Sequence, residues 1–268
     1  MIYMGLELAR RLEVAEALNG VACAEAHQQL NPGLGAAVLE VGGGSAIFVG
    51  VESPLTHAVG LGMRGEVRAD EMDRMEDFYR ARGAAVSVEL CPLADASLVE
   101  LLGNRGYRVT EFNNVLVRPL AGAEFAPAAT PVRLSNTNAN ADEEQLWART
   151  VGRGFLEKDD LTAAEVDVGS AIWHMPGSRC YLAFGGGRAA AAGAMAVHGG
   201  LATLFADSTM LGFRGAGLQG ALIRERLRVA VKEGCDLATA STLPGSVSQR
   251  NYERSGFQVA YTKAILVR

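Results

Sequence analysis

Apolar positions in the second half of the chain follow two periods, one typical of strands and one typical of helices. Runs and alternations of apolar residues predict strands at 132–134, 180–184, 188–198, 201–210, 236–240 and 258–267. The three glycines 185–187 predict a hairpin turn between two of these strands. Spacings of three and four predict helices over 141–154, 163–174 and 218–233, and Ser246 begins a further one. This half therefore alternates strands and helices.

The first half begins with a long amphipathic segment. A helix over 6–29 would place Leu8, Leu12, Ala15 and Leu18 on one face. Such a stripe is typical of a helix that packs on a core. Strands are expected near positions 36, 46 and 56.

A glycine-rich turn connects the strand 201–210 to the helix 218–233. It reads Arg214-Gly215-Ala216-Gly217-Leu218-Gln219-Gly220. Glycines at 215, 217 and 220 would allow dihedrals that other residues avoid, and they let N–H groups approach an anion without interference from a Cβ atom. The following helix adds its unpaired amides and the positive end of its dipole. The turn therefore predicts a phosphate site.

Spacing separates the nucleotide-binding loops that share this logic. No Gly-Lys-Ser/Thr closes the turn, which excludes a P-loop. Gly215-x-Gly217-x-x-Gly220 fits a dinucleotide-binding fingerprint, but it comes late in the chain and lacks the run of parallel strands of a doubly wound sheet. The turn instead resembles the acetyl-CoA pyrophosphate loop of the GNAT superfamily of N-acetyltransferases, R/Q-x-x-G-x-G/A. Gln219 departs from that pattern, because the family most often has Gly or Ala there.

A second segment carries the same resemblance at a set distance from the turn. The stretch 248–257 predicts a helix that bears Tyr252 and ends at Gly256-Phe257, followed by the strand 258–267. GNAT domains close in a similar way, with Tyr four residues before Gly. Two motifs in the right order make a chance match improbable.

Length and charge agree with a globular enzyme. A chain of 268 residues that is 49% hydrophobic can bury a large core and suggests two domains. A net charge of -5 disfavours nonspecific nucleic-acid binding and mildly favours a cationic amine as substrate. No apolar run reaches the roughly 18 residues that span a membrane, and the N-terminal segment is acidic, so we expect a cytoplasmic protein without a membrane partner.

The cysteines lie far apart and form no C-x-x-C motif. Cys23, Cys91, Cys180 and Cys235 each have apolar neighbours. We expect buried, reduced thiols and neither a disulfide nor a metal site.

An internal repeat with an offset of 150 residues organises the chain. Without a gap, 46–118 matches 196–268, and Leu61-Gly62-Met63-Arg64-Gly65 falls on Leu211-Gly212-Phe213-Arg214-Gly215. The stretch 119–131 between the copies is rich in Ala and Pro. We therefore predict one domain at 1–120, a linker at 121–130 and a second domain at 131–268.

The first copy differs from the second where chemistry would occur. In place of Gly217, Gln219, Gly220 and Tyr252 it has Val67, Ala69, Asp70 and Leu102. Its turn loses the permissive backbone and gains a carboxylate that would repel an anion. We therefore expect a degenerate first domain that serves as a scaffold, covers a sheet edge or shapes the substrate cleft.

The resemblance implies a fold, a co-substrate and a set of binding residues. The fold would be α/β (α+β), with two GNAT-like domains, each a mixed, mostly antiparallel sheet flanked by helices. Acetyl-CoA would donate its acetyl group directly to an amine. The residues implied for acetyl-CoA are the backbone of Ser208, Thr209 and Met210, the turn Arg214, Gly215, Ala216, Gly217, Leu218, Gln219 and Gly220, and the side chains of Ser248 and Asn251.

The resemblance also implies an acid and a base. Tyr252 is the candidate acid, because a phenol pKa of about 10 lies near that of an alkyl thiol. Asp207 is the candidate base that takes the amine proton through water. His198 and the acidic residues Glu157, Asp159 and Asp160 are alternatives, with surface roles as their simpler explanation. Ser246 could serve only as a helix cap, and the Arg214 side chain could face solvent.

Two functions remain open at this stage. One is an acetyl-CoA-dependent N-acetyltransferase that acts on a small-molecule or peptide amine; the other is a CoA-binding regulatory or structural protein without turnover. The sequence predicts no nucleic-acid partner. It fixes neither the acceptor nor the oligomeric state, and a homodimer is compatible with it.

Overall fold

The computed structural model describes residues 4–128, 130–136 and 140–268. They divide into two compact units. Unit 1 consists of Met1–Val115, Thr242–Pro244 and Val259–Arg268, and unit 2 of Leu116–Ser241 and Gly245–Gln258. Residues 259–268 thus group with the N-terminal unit, although the sequence repeat places them in the second copy. Ala129, in the expected linker 121–130, lies outside the described residues.

The helices agree closely with the predicted ones. They are α1 (Leu6–Leu30), α2 (Ala69–Arg80), α3 (Ala96–Asn104), α4 (Ala141–Leu156), α5 (Ala163–His174), α6 (Leu218–Lys232) and α7 (Val247–Arg254). The prediction for α5 is confirmed at both ends, and those for α1, α4 and α6 are confirmed to within two residues. Ser246 caps α7 by accepting a hydrogen bond from the Gln249 amide, so its expected capping role is confirmed. Within the described ranges, no helix is long and apolar enough to cross a membrane.

The strands also follow the predicted order. They are β1 (Ala37–Val41), β2 (Gly44–Phe48), β3 (Ala58–Val59), β4 (Ser87–Leu90), β5 (Arg108–Pro119), β6 (Val132–Leu134), β7 (Arg179–Gly185), β8 (Arg188–His198), β9 (Leu201–Thr209), β10 (Leu237–Thr242) and β11 (Gln258–Val267). The predicted bounds of β6, β8 and β11 are confirmed at both ends.

Unit 1 contains a sheet in the order β1-β2-β3-β4-β11-β5, in which the end of β5 belongs to unit 2. Strand β4 pairs with β3 in parallel and with β11 antiparallel. The core of unit 1 includes Met72, Met75 and Tyr79 of α2 and Leu98 of α3. The last strand in sequence therefore lies inside the sheet of the first unit.

Unit 2 contains strands in the order β5-β10-β9-β8-β7-β6. Strands β9 and β10 pair in parallel, whereas β6 with β7, β7 with β8 and β8 with β9 pair antiparallel. Helix α6 buries Leu218, Leu222, Leu227 and Ala230 in a core that includes Tyr181 of β7. Each unit thus has a mixed, mostly antiparallel sheet with helices, which confirms the predicted fold class.

The offset of 150 residues holds for part of the repeat only. It superposes α2 on α6, β4 on β10, α3 on α7 and β5 on β11 along the sequence. It fails over 46–59, because Ala46 pairs with Ala58 whereas Ala196 pairs with Thr203 and not with Ser208. Unit 2 makes this connection with the tight turn Gly199-Gly200, and unit 1 uses the longer stretch 49–57. The gapless repeat was therefore wrong in this stretch.

The predicted apolar stripe of α1 is partly wrong. Leu12 and Ala15 are buried, but Leu18 is exposed. A glutamate is buried instead: Glu13 accepts a hydrogen bond of 2.6 Å from the Tyr261 hydroxyl and lies 3.1 Å from the Lys263 ammonium. Periodicity could not reveal this, because a buried charge is tolerated only when a partner from elsewhere in the chain pairs with it.

All four cysteines are buried, as predicted. Burial raises the pKa of Cys23 and Cys180 to about 12 and that of Cys91 to about 11. Such thiols are unreactive at neutral pH because the thiolate is the reactive species.

Candidate active site

Strands β9 and β10 separate partway along their length. Their pairing begins at Leu201 and Leu237 and ends at Thr203 and Thr239. Strand β9 then continues to Thr209. An edge of β9 from Leu204 onward therefore lacks a strand partner among the described residues. In a parallel sheet such an opening leaves backbone groups available to a ligand.

The glycine-rich turn follows this opening and carries free amides. No described residue accepts a hydrogen bond from the N–H groups of 215–220, and α6 has no side-chain cap at its start. Residues 214–217 are exposed. Consecutive amides without acceptors at a helix N-terminus are the donors that an anion site requires, and the phosphate loop stays a prediction.

The glycines of the turn have different reasons to be glycine. Gly215 and Gly217 have φ values of +80° and +75°, in the left-handed region that other residues avoid. Gly220 lies inside α6 and is not among the residues with positive φ, so the prediction that it needs special dihedrals was wrong. A Cβ atom at Gly220 would meet no protein atom within 4 Å. Its lack of a side chain therefore leaves space beside the free amides.

The equivalent turn of unit 1 has no such free row of amides. The Val67 amide donates to Ser97 Oγ at 2.9 Å, and the Arg68 amide donates to Glu71 at 2.9 Å. Val67 itself is buried. Side chains thus occupy two adjacent amides in the middle of this turn, which agrees with a degenerate first copy.

Gln219 connects α6 to α7. Its side-chain amide donates to Ser248 Oγ at 2.9 Å and accepts from Asn251 at 2.8 Å. The side chain thus points away from the turn, and the departure from the GNAT pattern leaves the Gln219 N–H free. Ser248 and Asn251, predicted to contact acetyl-CoA, are bonded to Gln219 and hold the two helices together.

The end of β9 offers one backbone amide to the opening. The Met210 amide donates to the Ala190 carbonyl at 3.0 Å, so the predicted role for that amide does not fit the structure. Because antiparallel pairing alternates, the Ser208 amide also faces β8 and the Thr209 amide faces away from it. The Ser208 hydroxyl is occupied too, since it donates to the Val151 carbonyl at 2.8 Å.

A glycine of α4 lets this helix pack closely against the Thr209 backbone. A Cβ atom at Gly154 would lie 2.9 Å from Thr209 N and 2.0 Å from Ser208 Oγ. Any side chain there would collide with the end of β9. Gly154 therefore fixes how closely α4 approaches the strand end that carries the Thr209 amide.

A β-bulge places Asp207 against the core. Gly193 of β8 stands opposite two residues of β9, and one of them, Ala206, has a φ of +54°. Asp207 then pairs with Arg226, which is fully buried on α6. A Cβ atom at Gly193 would lie 2.8 Å from Asp207 and 3.0 Å from Arg226, so glycine makes room for this pair.

Tyr252 completes the buried group. Its hydroxyl donates to the second carboxylate oxygen of Asp207, and its ring packs edge-on against Phe257 with centroids 4.9 Å apart. Tyr252 is 1% exposed. Burial, followed by the neighbouring Asp207 carboxylate, raises the Tyr252 pKa well above its usual value. The two residues expected to act as acid and base are therefore bonded to each other.

The other candidates lie apart from this group. Arg214 pairs with Glu157 at 2.8 Å and donates to the Gly154 carbonyl at 3.2 Å. Asp159 and Asp160 are exposed. His198 pairs with Leu201 at the other end of the β8–β9 hairpin from Asp207, and burial lowers its pKa. The structure does not bring these alternative bases to Asp207 and Tyr252.

Sequence reasoning missed Arg226, Gly193 and Gly154. A signal for Arg226 was present, because it interrupts the apolar stripe of α6 at the spacing of Leu218, Leu222 and Ala230. An arginine at such a position must find a buried partner. Gly193 and Gly154 act through contacts distant in sequence, and no local pattern marks them.

Comparison with protein-family models and with curated proteins finds no match for this sequence. Solved structures do match. One is a GCN5-related N-acetyltransferase from Kribbella flavida, at 19% identity and a TM-score of 0.64, covering 92% of this chain and 95% of the other. A GCN5-related N-acetyltransferase from Sphaerobacter thermophilus gives 15% identity and 0.56, covering 74% of this chain and 66% of the other.

A third similar structure has a tandem arrangement. It is a tandem GNAT protein from the clavulanic acid biosynthesis pathway, solved without acetyl-CoA, at 13% identity and a TM-score of 0.55, covering 74% of this chain and 68% of the other. The protein described here therefore has the GNAT fold.

Proposed function

We propose that unit 2 is an acetyl-CoA-dependent N-acetyltransferase. The observation that carries the proposal is the row of free amides at 215–220 beside the opening between β9 and β10. Backbone donors at a helix N-terminus suit the diphosphate of CoA. The equivalent turn of unit 1, whose Val67 and Arg68 amides are occupied, serves as an internal comparison.

The roles of the residues follow from this geometry. The turn and the start of α6 would hold the diphosphate. The Thr209 amide, on the edge of β9 that β10 leaves unpaired, would donate to the thioester carbonyl and stabilise the charge that develops on its oxygen. Acetyl-CoA supplies an activated acyl group with a thiol as the leaving group. The acceptor would be a small-molecule or peptide amine, and the negative net charge favours a cationic one.

A second candidate is a CoA-binding protein without turnover. It is favoured by one observation: Tyr252 and Asp207 satisfy each other and are nearly inaccessible to solvent. In this case CoA would bind as in the first proposal, but no thiol would be released from acetyl-CoA in the presence of amines.

Calorimetric titration with acetyl-CoA tests the shared part of both proposals. We expect one site per chain in the wild type and none in Gly217→Val, because a β-branched residue resists the positive φ of that position. No atom lies within 4 Å of a Cβ at Gly217, so the fold should persist. Wild-type protein that fails to bind acetyl-CoA would refute both. Release of free thiol in an amine screen then separates an enzyme from a binding protein.

A further inference from the structure

The buried group in unit 2 contains an arginine with no counterpart in the first copy. Arg226 is 0% exposed, and its guanidinium pairs with Asp207. It also donates to three backbone carbonyls: Leu222 at 3.1 Å, Ala194 at 2.8 Å and Phe205 at 3.4 Å. A single side chain thus binds α6, β8 and β9.

These contacts surround the bulge that precedes the end of β9. Phe205 and Asp207 flank Ala206, the residue with positive φ, and Ala194 lies on the facing strand beside Gly193. A non-glycine residue in the left-handed region costs about 1 kcal/mol or more and persists only where its surroundings fix it. Arg226 supplies that fixation from both strands. The direction of the residues that follow, Ser208 and Thr209, depends on it.

The fold itself does not require this arginine. At the equivalent helix positions of unit 1 the chain has Glu76 and Leu102 instead of Arg226 and Tyr252. Glu76 is bonded to Tyr107 and Arg268, and Leu102 is packed in the core. The same pair of helices thus forms without the buried group. Burying an arginine and a carboxylate is also no general route to stability, because desolvation offsets their attraction.

We propose that Arg226 is a positioning residue: it holds the bulge and Asp207 so that the Thr209 amide meets the thioester carbonyl and Tyr252 keeps one orientation, without itself touching a substrate. This inference rests on the proposed function. It adds a group that determines how well the acetyl end is held, separately from the turn that holds the diphosphate. A shift of about 1 Å at such a position can lower turnover by about 100-fold.

The test compares Arg226→Met and Arg226→Lys with Arg224→Met, an exposed arginine on the same helix. Dissociation constants for CoA and for acetyl-CoA are measured by calorimetry. Turnover is measured by thiol release at pH values from 6 to 9, in steps of about one pH unit. If Arg226→Met does not fold, Arg226→Met combined with Asp207→Asn removes the unpaired buried carboxylate. Thermal melting reports folding for every variant.

We expect Arg226→Met to keep the wild-type affinity for CoA and to lose the difference between acetyl-CoA and CoA. Its kcat should fall by about 10- to 100-fold with a smaller change in KM and a displaced pH profile. Arg226→Lys should be intermediate, and Arg224→Met should match the wild type.

Two results would overturn the inference while leaving the proposed function intact. One is a folded Arg226→Met variant with wild-type acetyl preference, kcat and pH profile. The other is a folded Arg226→Met variant whose affinities for CoA and for acetyl-CoA fall equally, since Arg226 would then act on the turn as well. Failure of the wild type itself to bind CoA would refute the proposed function, and the inference with it.

Discussion

Replacing Gly154 by alanine should destabilise unit 2, although alanine is the better helix former. The added methyl group would lie 2.0 Å from Ser208 Oγ and 2.9 Å and 3.0 Å from the backbone N and C atoms of Thr209. The hydroxyl could rotate away only by giving up its hydrogen bond to the Val151 carbonyl. The backbone of β9 has no such freedom, so the strand end or α4 must move.

The magnitude follows from two opposing contributions. Overpacking a closely packed site costs about 1–3 kcal/mol, and alanine in place of glycine inside a helix returns about 0.5–1 kcal/mol. A net loss of about 1–2 kcal/mol corresponds to a fall in Tm of about 2–8 °C for a domain of this size. The methyl group would also cover the Thr209 amide. Loss of one hydrogen bond there should reduce the preference for acetyl-CoA over CoA by about 3- to 10-fold.

Thermal melting and calorimetric titration with both ligands measure these two effects. Gly220→Ala is the matched control, because it lies in a helix of the same unit with no atom within 4 Å of its Cβ. It should raise Tm and leave the acetyl preference unchanged. A Gly154→Ala protein that melts at or above the wild-type temperature and keeps the acetyl preference would refute the inference that α4 must pack this closely on the end of β9.

Three further variants test other parts of the structure. Tyr252→Phe should lower turnover more than acetyl-CoA affinity, because the lost hydroxyl donates to Asp207 and does not reach the turn. Leu102→Met, the matching change in unit 1, should leave both turnover and affinity unchanged. Val67→Gly should leave the titration at one site per chain, since Ser97 Oγ would still accept from the amide of residue 67 and Glu71 from that of Arg68; a second site would contradict this. Glu16→Gln should flatten the pH dependence of stability: burial raises the Glu16 pKa from 4.5 to about 7, so the wild type loses stability as pH rises from 4.5 through 7. The Glu16 side chain is 31% exposed, so solvent screening reduces the effect. We expect the free energy of unfolding of the wild type to fall by about 1–2 kcal/mol between pH 5 and 7.5, measured by urea unfolding, and that of the variant to stay level.

The elements of this fold were largely predictable because their signals are local. Hydrophobic spacing gave the bounds of α5, β8 and β11, and glycines marked the hairpin and the phosphate turn. The free amides at 215–220 follow from the same local pattern, since a glycine turn before a helix leaves them without acceptors.

The site was predictable only as a set of residues, not as an arrangement. Asp207 and Tyr252 were identified, but their mutual hydrogen bond depends on a bulge at Ala206 and on Arg226 from another element. Gly154 has to be glycine because α4 packs closely on β9, a contact that no periodicity encodes. The burial of Glu13 on α1 likewise depends on a residue distant in sequence, since Lys263 supplies the partner for the buried carboxylate.

The place of β11 in unit 1 has a consequence for the order in which the protein can fold during synthesis. Tyr261 and Glu13 are hydrogen-bonded across 248 positions of sequence, and Lys263 pairs with Glu16 and Glu89 of the same unit. Until residues 258–267 have been synthesised, β4 has an unpaired edge. Glu13, Glu16 and Glu89 also lack their common partner, the Lys263 ammonium. Such distant pairing slows folding and prolongs exposure of an unpaired edge. The latest segment of unit 2 to be synthesised, 245–258, precedes the last segment of unit 1, 259–268. Unit 1, whose synthesis begins before that of unit 2, therefore cannot complete its fold before unit 2 has been synthesised.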